Sequence, residues 1–185
     1  MQSLSNKTHQ SSRYTVMAMG FHWLLALMIV GSFGFGVYMA DLPFSPARIK
    51  QFNWHKWAGI TILALSALRL LWRLTHTPPD SPPVSAWQKK AASVTHLLMY
   101  FLFFAIPLAG WAYSSATGFQ VVYFGALPLP DWVAKNTDLA EKLKILHRVL
   151  AYILATLVVL HIAATLKHQL FDKDSLLARM NPFAR

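Results

Sequence analysis

The chain has 185 residues, of which 55% are hydrophobic and only 13% are charged. This composition is too apolar for an ordinary soluble domain and excludes an intrinsically disordered chain, so it indicates a membrane protein. The formal net charge is +10, but the basic residues fall between apolar segments and form no stripe, which favours a membrane surface over nucleic acid. The absence of cysteine excludes disulfides, iron–sulfur clusters, thiolate metal sites and covalently attached haem, and leaves eight histidines as the candidate metal ligands.

Four apolar segments predict transmembrane helices, at about 16–40, 51–74, 91–116 and 141–169. A helix needs about 20 residues to cross a hydrocarbon core of ~30 Å. The second segment carries Lys56, Arg69 and Arg73 at its margins, so either it spans with these side chains reaching the interface, or it lies at the interface. We therefore expect an all-α, integral membrane four-helix bundle that forms a single domain over residues 1–185.

The remaining segments predict connections and an orientation. Residues 77–87 and 117–140 contain prolines and are predicted to be loops or surface segments. Residues 1–13 are polar and show no small-residue cleavage site, so we expect a retained tail. If both termini and the loop between helices 2 and 3 lie on one side of the membrane, that side carries ten basic residues and the other side carries seven. Cytoplasmic segments carry the excess of Lys and Arg, so this count predicts that both termini are cytoplasmic.

Histidines within the apolar segments are the strongest candidates for function, because ionisable residues are costly inside a membrane. His147 and His161 are separated by 14 residues, about 21 Å of helix rise, and lie near the same face. In an antiparallel bundle His22 is level with His161, and His55 is level with His147. Two facing histidines at each depth suit bis-imidazole ligation of two haem irons, whereas zinc would need more ligands at one point.

The same 14-residue step links His22 to Gly36, His96 to Gly110 and His55 to Arg69. Either the two glycines leave room for the ring at the opposite level, or they permit close helix packing. Either Arg69 and the nearby Arg73 bind haem propionates, or they are basic anchors at the cytoplasmic side.

Two further histidines, His96 and His168, lie near the cytoplasmic level, where a six-coordinate iron has no place for a third imidazole. Either they bind a quinone head group and relay protons, together with Lys167, or they are interfacial side chains. His9 and His76 lie in flanking segments and receive no role.

Over nearly its whole length the chain resembles the bacterial cytochrome b561 family, whose relatives include superoxide oxidases and the b subunits of membrane hydrogenases. The motifs that carry this resemblance are, in chain order, Phe21-His22-Trp23-Leu24, Trp54-His55-Lys56 with Gly59, Arg69-Leu70-Leu71-Trp72-Arg73, His96-Leu97-Leu98-Met99-Tyr100 with Pro107 and Gly110, Leu146-His147-Arg148, and His161 to His168 followed by Phe171-Asp172-Lys173-Asp174. Each motif is short, and their shared order makes the resemblance specific.

The resemblance implies two b haems in a protein of the bacterial inner membrane. His22 and His161 would ligate the cytoplasmic haem, and His55 and His147 the periplasmic haem. His96 and His168 would border a site for ubiquinone, the expected electron acceptor.

The leading functional hypothesis, drawn from the family, is a superoxide:ubiquinone oxidoreductase that takes electrons from periplasmic superoxide. Lys56 and Arg148, adjacent to His55 and His147, are the candidate catalytic residues. Lys56 and Arg148 are two of the seven basic residues on the outer side, which are Arg48, Lys50, Lys56, Lys135, Lys142, Lys144 and Arg148. Four acids reduce their net charge to about +3, so they form either an attracting surface for a small anion or ordinary helix-end charges.

Two alternatives remain open. The first is a non-enzymatic cytochrome b subunit that relays electrons between quinone and another redox protein, such as a periplasmic partner. The second is a four-helix transporter that uses its histidines as a proton relay and binds no haem.

Overall fold

The computed structural model describes residues 13–79, 84–173 and 176–181. Its four long helices are α1 (Val16–Ala40), α2 (Pro46–Thr75), α3 (Ala86–Thr117) and α4 (Thr137–Lys167). All four are long and apolar enough to cross a membrane, which confirms the predicted fold class of an all-α membrane bundle. The second segment is one of these four, and its helix packs against both α1 and α3, as expected of a spanning helix and not of an interfacial one.

Three of the helices begin earlier than hydropathy predicts, because polar caps start them outside the apolar runs. Ser45 accepts a hydrogen bond from the Arg48 N–H and Pro46 occupies the first turn of α2, so that helix starts before residue 51. Gln88 accepts a hydrogen bond from the Ser85 N–H ahead of α3, and Asn136 caps α4. The predicted starts at 51, 91 and 141 were therefore too late.

Consecutive helices pack side by side in an up-and-down order, and α1 touches α4 only lightly. Among the described residues, the α2 and α4 backbones make no close approach, so side chains alone meet across the interior between them. We call the end where α1 begins and α4 finishes the terminal end, and the opposite end the hairpin end.

The centre of the bundle is an apolar layer of Leu102, Phe103 and Leu154, each at most 6% exposed. Leu154 lies seven residues from both His147 and His161, so this layer separates the two depths at which histidines occur. Many outward-facing side chains are exposed, such as Leu27 and Leu160, as expected for helices solvated by lipid.

A small β-hairpin, β1 (Val122–Tyr123) with β2 (Leu127–Pro128), occupies part of the connection between α3 and α4 that was predicted to be loop. The Trp57 indole N–H donates to the Val122 carbonyl over 2.7 Å, and the Thr61 and Tyr123 hydroxyls are 2.8 Å apart. These bonds hold the hairpin against α2.

The terminal end is closed by the segment after α4. A π-helical turn, His168–Asp172, follows α4 directly, and the short α5 (Leu176–Arg179) comes after it. The Trp23 indole N–H donates to the Met180 carbonyl over 2.8 Å, and the Arg13 guanidinium donates to the Asn181 carbonyl over 2.6 Å. Met180 and Asn181 are thereby held beside the start of α1.

Candidate functional site

Two pairs of histidines face each other inside the bundle, one at each depth. At the hairpin end the ring centroids of His55 and His147 are 6.1 Å apart, and the rings are nearly perpendicular. At the terminal end the centroids of His22 and His161 are 6.5 Å apart. The structure therefore brings together the pairs that the sequence spacing places level with one another.

The hairpin-end pair is held by hydrogen bonds that orient its rings. The Ile106 carbonyl can only accept, so His147 carries its proton on Nδ1 and donates it over 2.9 Å. This leaves the Nε2 lone pair of the neutral ring available for a metal, an arrangement common among metal-binding histidines. The His55 Nδ1 lies 3.4 Å from the Ser32 hydroxyl.

Two glycines make room for these same rings. A Cβ added at Gly36 would lie 3.1 Å from the His55 Cε1, and one added at Gly110 would lie 3.0 Å from the His147 Cε1. Both separations are shorter than ordinary van der Waals contact, so each glycine lets an imidazole lie directly against a helix backbone. The imidazole of His55 therefore lies in the space beside Gly36, and that of His147 lies in the space beside Gly110.

The terminal-end pair has a third histidine beside it. The His96 ring centroid is 5.5 Å from that of His161, closer than His22 is. Within the residues that the structure describes, no three His, Asp or Glu side chains are arranged to hold a metal ion. His161 is thus close to two other imidazoles, those of His22 and His96.

The two facing pairs fit a metal held between two imidazoles. A metal–nitrogen bond is about 2 Å long, so imidazoles on opposite sides of one ion have ring centroids about 6 Å apart. The separations of 6.1 and 6.5 Å lie within about 0.5 Å of this value, and so does the 5.5 Å between His96 and His161. The lack of backbone contact between α2 and α4 is consistent with room for a planar group at the hairpin level.

Arg69 is the charged group that lies among the terminal-end histidines. Its Nη2 is 3.2 Å from the His22 Nδ1, and its guanidinium lies 5.4 Å from the Tyr100 ring centroid. Because arginine only donates, the His22 Nδ1 accepts here, and binding of a metal by Nε2 would require the opposite tautomer. Arg69 must then leave the imidazole, which would free its donors for an anionic group.

The other predicted site residues lie near the ends of the bundle. Lys56 donates from Nζ to the Phe119 carbonyl over 3.2 Å, while Arg148 and Arg73 are exposed. His168 lies in the π-helical turn, where its Nδ1 is 3.0 Å from the Asp172 carboxylate.

Sequence reasoning missed the groups that orient the histidines. Ser32 and the Ile106 carbonyl were not identified, although Pro107 marks an irregular helix at that place. Asp172 was noted only as part of a polar stretch. A carboxylate four residues after a histidine at a helix end is the signal that would have found it.

An apolar four-helix bundle with facing histidines in its interior is the architecture of a b-type membrane cytochrome. The chain belongs to the prokaryotic cytochrome b561 family, whose sequence model matches residues 13–182. It is accordingly a multi-pass bacterial membrane protein of electron transfer, from a family that binds b-type haem.

Three relatives match almost end to end. The chain is 35% identical to cytochrome b561 homolog 2 of Escherichia coli strain K12, over 94% of this chain and 93% of that protein. It is 31% identical to the probable superoxide oxidase CybB of Yersinia pestis, over 94% and 98% of the two chains. It is 30% identical to cytochrome b561 homolog 1 of E. coli strain K12, over 92% and 98%.

Proposed function

We propose that this protein carries electrons across the bacterial inner membrane, from superoxide at the hairpin end to ubiquinone at the terminal end. The observation that carries the proposal is the pair of facing histidines at each of two depths, with ring centroids 6.1 and 6.5 Å apart. The probable superoxide oxidase among the relatives supports superoxide as the donor.

Two b haems would be held by His22 with His161 and by His55 with His147. Bound haem would supply reversible one-electron transfer, and an iron held by two imidazoles would have no open position for oxygen. Arg69 and Arg73 would pair with propionates at the terminal level, where Arg69 already lies 3.2 Å from the His22 ring. The apolar layer around Leu154 lies between the two levels.

The charges at the hairpin end suit a small anionic donor. Lys56 is the basic residue next to His55, and Arg148 is the one next to His147. Among the other cations there, the charge of Lys144 is offset by Glu141 at 3.3 Å. Lys56 and Arg148 are therefore the residues to which we assign the attraction of superoxide.

Replacing Arg148 with glutamine should slow the second-order reaction with superoxide by a few-fold at low ionic strength, because a nearby positive charge is lost. The difference from the parent protein should shrink as salt screens the charge, over a Debye length of about 10 Å at 0.1 M. Lys56→Gln should behave similarly. Lys90→Gln, at the start of α3 on the terminal end, is the matched control and should leave the rate unchanged. An equal effect of all three variants would refute a local role for Lys56 and Arg148.

At the terminal end, His96 and His168 would border ubiquinone. Two superoxide ions each give up one electron and become dioxygen, and the quinone takes both electrons and two protons to become the quinol. Histidines suit this end because an imidazole has both a proton donor and a proton acceptor nitrogen. With both termini cytoplasmic, as the excess of basic residues at this end suggests, the protons would come from the cytoplasm.

The proposal is tested by anaerobic stopped-flow spectroscopy of the oxidised protein mixed with superoxide, with and without ubiquinone. We expect the b-type absorption bands to show reduction within the mixing time and reoxidation when quinone is added. Bands that stay oxidised with superoxide, but change with a reduced redox protein, would replace this function with that of a relay subunit.

A further inference from the structure

The connection between α3 and α4 is apolar although it lies outside the long helices. Residues 118–130, which include the β-hairpin, contain no charged side chain. Several of their large apolar side chains are exposed, Phe119 by 68%, Phe124 by 64% and Leu127 by 57%. Contiguous exposed apolar surface of this kind marks a site of interaction with a partner or a membrane.

The hairpin lies beside the start of the uncharged part of α2. Lys56 is the last charged residue of that helix before an uncharged run that begins at Trp57. The Trp57 indole N–H donates to the Val122 carbonyl, and the Thr61 and Tyr123 hydroxyls are 2.8 Å apart. Because the uncharged run is the part of a spanning helix that lies in hydrocarbon, these bonds hold the hairpin at the boundary between hydrocarbon and head groups. Trp and Tyr are the residues enriched at that boundary.

The backbone of the hairpin suits this position. Polar backbone groups near hydrocarbon need partners within the protein, because water is scarce there. The Ala126 N–H donates to the Tyr123 carbonyl over 3.1 Å. The Leu129 N–H donates to the Val121 carbonyl over 2.8 Å. These bonds reduce the number of backbone groups that would need water.

The tip of the hairpin carries a phenylalanine where turns favour other residues. Phe124 and Gly125 are the central residues of the turn, and their φ angles are 49° and 72°. Turns with two positive φ angles favour Gly, Asn and Asp, and a bulky side chain there is strained. The Phe124 ring is nonetheless exposed, with its centroid 5.2 Å from that of Trp57. Transfer of a phenyl ring from water to an apolar medium is favourable and would offset this strain.

We propose that the hairpin is an interfacial anchor, whose Phe124 and Leu127 side chains insert among the acyl chains of the lipid leaflet at the hairpin end. Lipid is the occupant because the hairpin is bonded to α2, a membrane-spanning helix, so its apolar surface continues one that lipid already covers. The lack of charge in residues 118–130 disfavours a soluble partner that is recognised by charge. This anchoring does not depend on which donor or acceptor the cytochrome uses, so it can fail while the proposed function stands.

The test uses a nitroxide label at Phe124→Cys, which is the only thiol in the protein because the chain has no cysteine. The oxidised, haem-loaded variant is reconstituted into vesicles of phosphatidylcholine and phosphatidylglycerol. Power saturation of the electron paramagnetic resonance signal measures collisions with oxygen, which concentrates in acyl chains, and with a polar nickel chelate, which stays in water. Each value is taken relative to a sample under nitrogen, so that the haem irons contribute equally. We expect collisions with oxygen to exceed those with the chelate several-fold.

Two labelled positions calibrate this measurement. Leu27→Cys, on an exposed position in the middle of α1, supplies the lipid value. Lys142→Cys, on an exposed position near the start of α4 at the hairpin end, supplies the water value. Leu127→Cys repeats the test within the hairpin, and it decides the outcome if Phe124→Cys loses the haem spectrum of the parent protein.

Two results would overturn the anchor. Hairpin labels that match Lys142→Cys would show that the hairpin faces water. Hairpin labels that are protected from both oxygen and the nickel chelate would show that protein covers the hairpin, as in a dimer or a complex with a partner. Hairpin labels that match Leu27→Cys, or that lie between the two calibration values with collisions with oxygen in excess, would support it.

Discussion

Replacing His161 with alanine is expected to lower the haem content of the purified protein from two per chain to one. His161 is the α4 member of the terminal-level pair, and its loss leaves His22 without a partner across the interior. A single imidazole holds a six-coordinate iron poorly, while the pair of His55 and His147 at the other depth is untouched. Haem per polypeptide, measured by the pyridine haemochrome spectrum, checks this directly.

His96→Ala is the matched control for that experiment, because His96 lies at the same level and even closer to His161. A haem iron held by His22 and His161 would have no place for a third imidazole, so we expect this variant to keep both haems and to reduce quinone more slowly. Loss of a haem from the His96 variant, together with retention in a His22→Ala variant, would reassign the terminal-level pair to His96 and His161.

Replacing Gly110 with valine is expected to abolish haem binding at the hairpin level while leaving the terminal level loaded. Even the first added carbon would lie 3.0 Å from the His147 Cε1 and 3.1 Å from its Nδ1. The ring cannot move away without losing its hydrogen bond to the Ile106 carbonyl, so the Nε2 position is displaced. Overpacking of this kind costs about 1–3 kcal/mol, and here the imidazole is the nearest group that must move.

A substitution at Gly34 tests whether any glycine in these helices would do the same. A Cβ at Gly34 would meet nothing within 4 Å, so Gly34→Val should keep both haems and the parent absorption spectrum. Gly36→Val should resemble Gly110→Val, because a Cβ there would press on the His55 ring at 3.1 Å. Full haem content in both Gly36 and Gly110 variants would mean that these glycines serve helix packing alone.

Hydropathy predicted the number of spans and their order, but it placed the starts of α2, α3 and α4 too late. The reason is that hydropathy detects the part of a helix that lies in lipid, whereas a helix begins at its cap. Ser45 and Asn136 are polar and lie outside the apolar runs, and each accepts a backbone hydrogen bond at the first turn. Cap residues followed by helix formers were therefore the better indicators of these boundaries.

The spacing of histidines in the sequence could predict that His55 and His147 face each other, because helix geometry is regular. A separation of 14 residues returns to nearly the same face, so His147 and His161 had to point into the bundle together. The antiparallel order then sets each of them level with a histidine of α1 or α2. Regular periodicity carries no such information about loops, and the hairpin at Val122–Pro128 was consequently missed.

By itself, the sequence determined the membrane bundle, the shared level of the histidines within each facing pair and the absence of thiolate chemistry, because composition and helical period decide these locally. Only the tertiary structure decided which group touches each imidazole: the Ile106 carbonyl at His147, Arg69 at His22 and Asp172 at His168. These contacts depend on how α3 packs against α4, how α2 lies beside α1 and where α4 becomes a π-helical turn. A hydrogen bond requires atoms to meet within about 3 Å. Residue spacing along separate helices does not specify positions that closely, whereas packing of the whole bundle does.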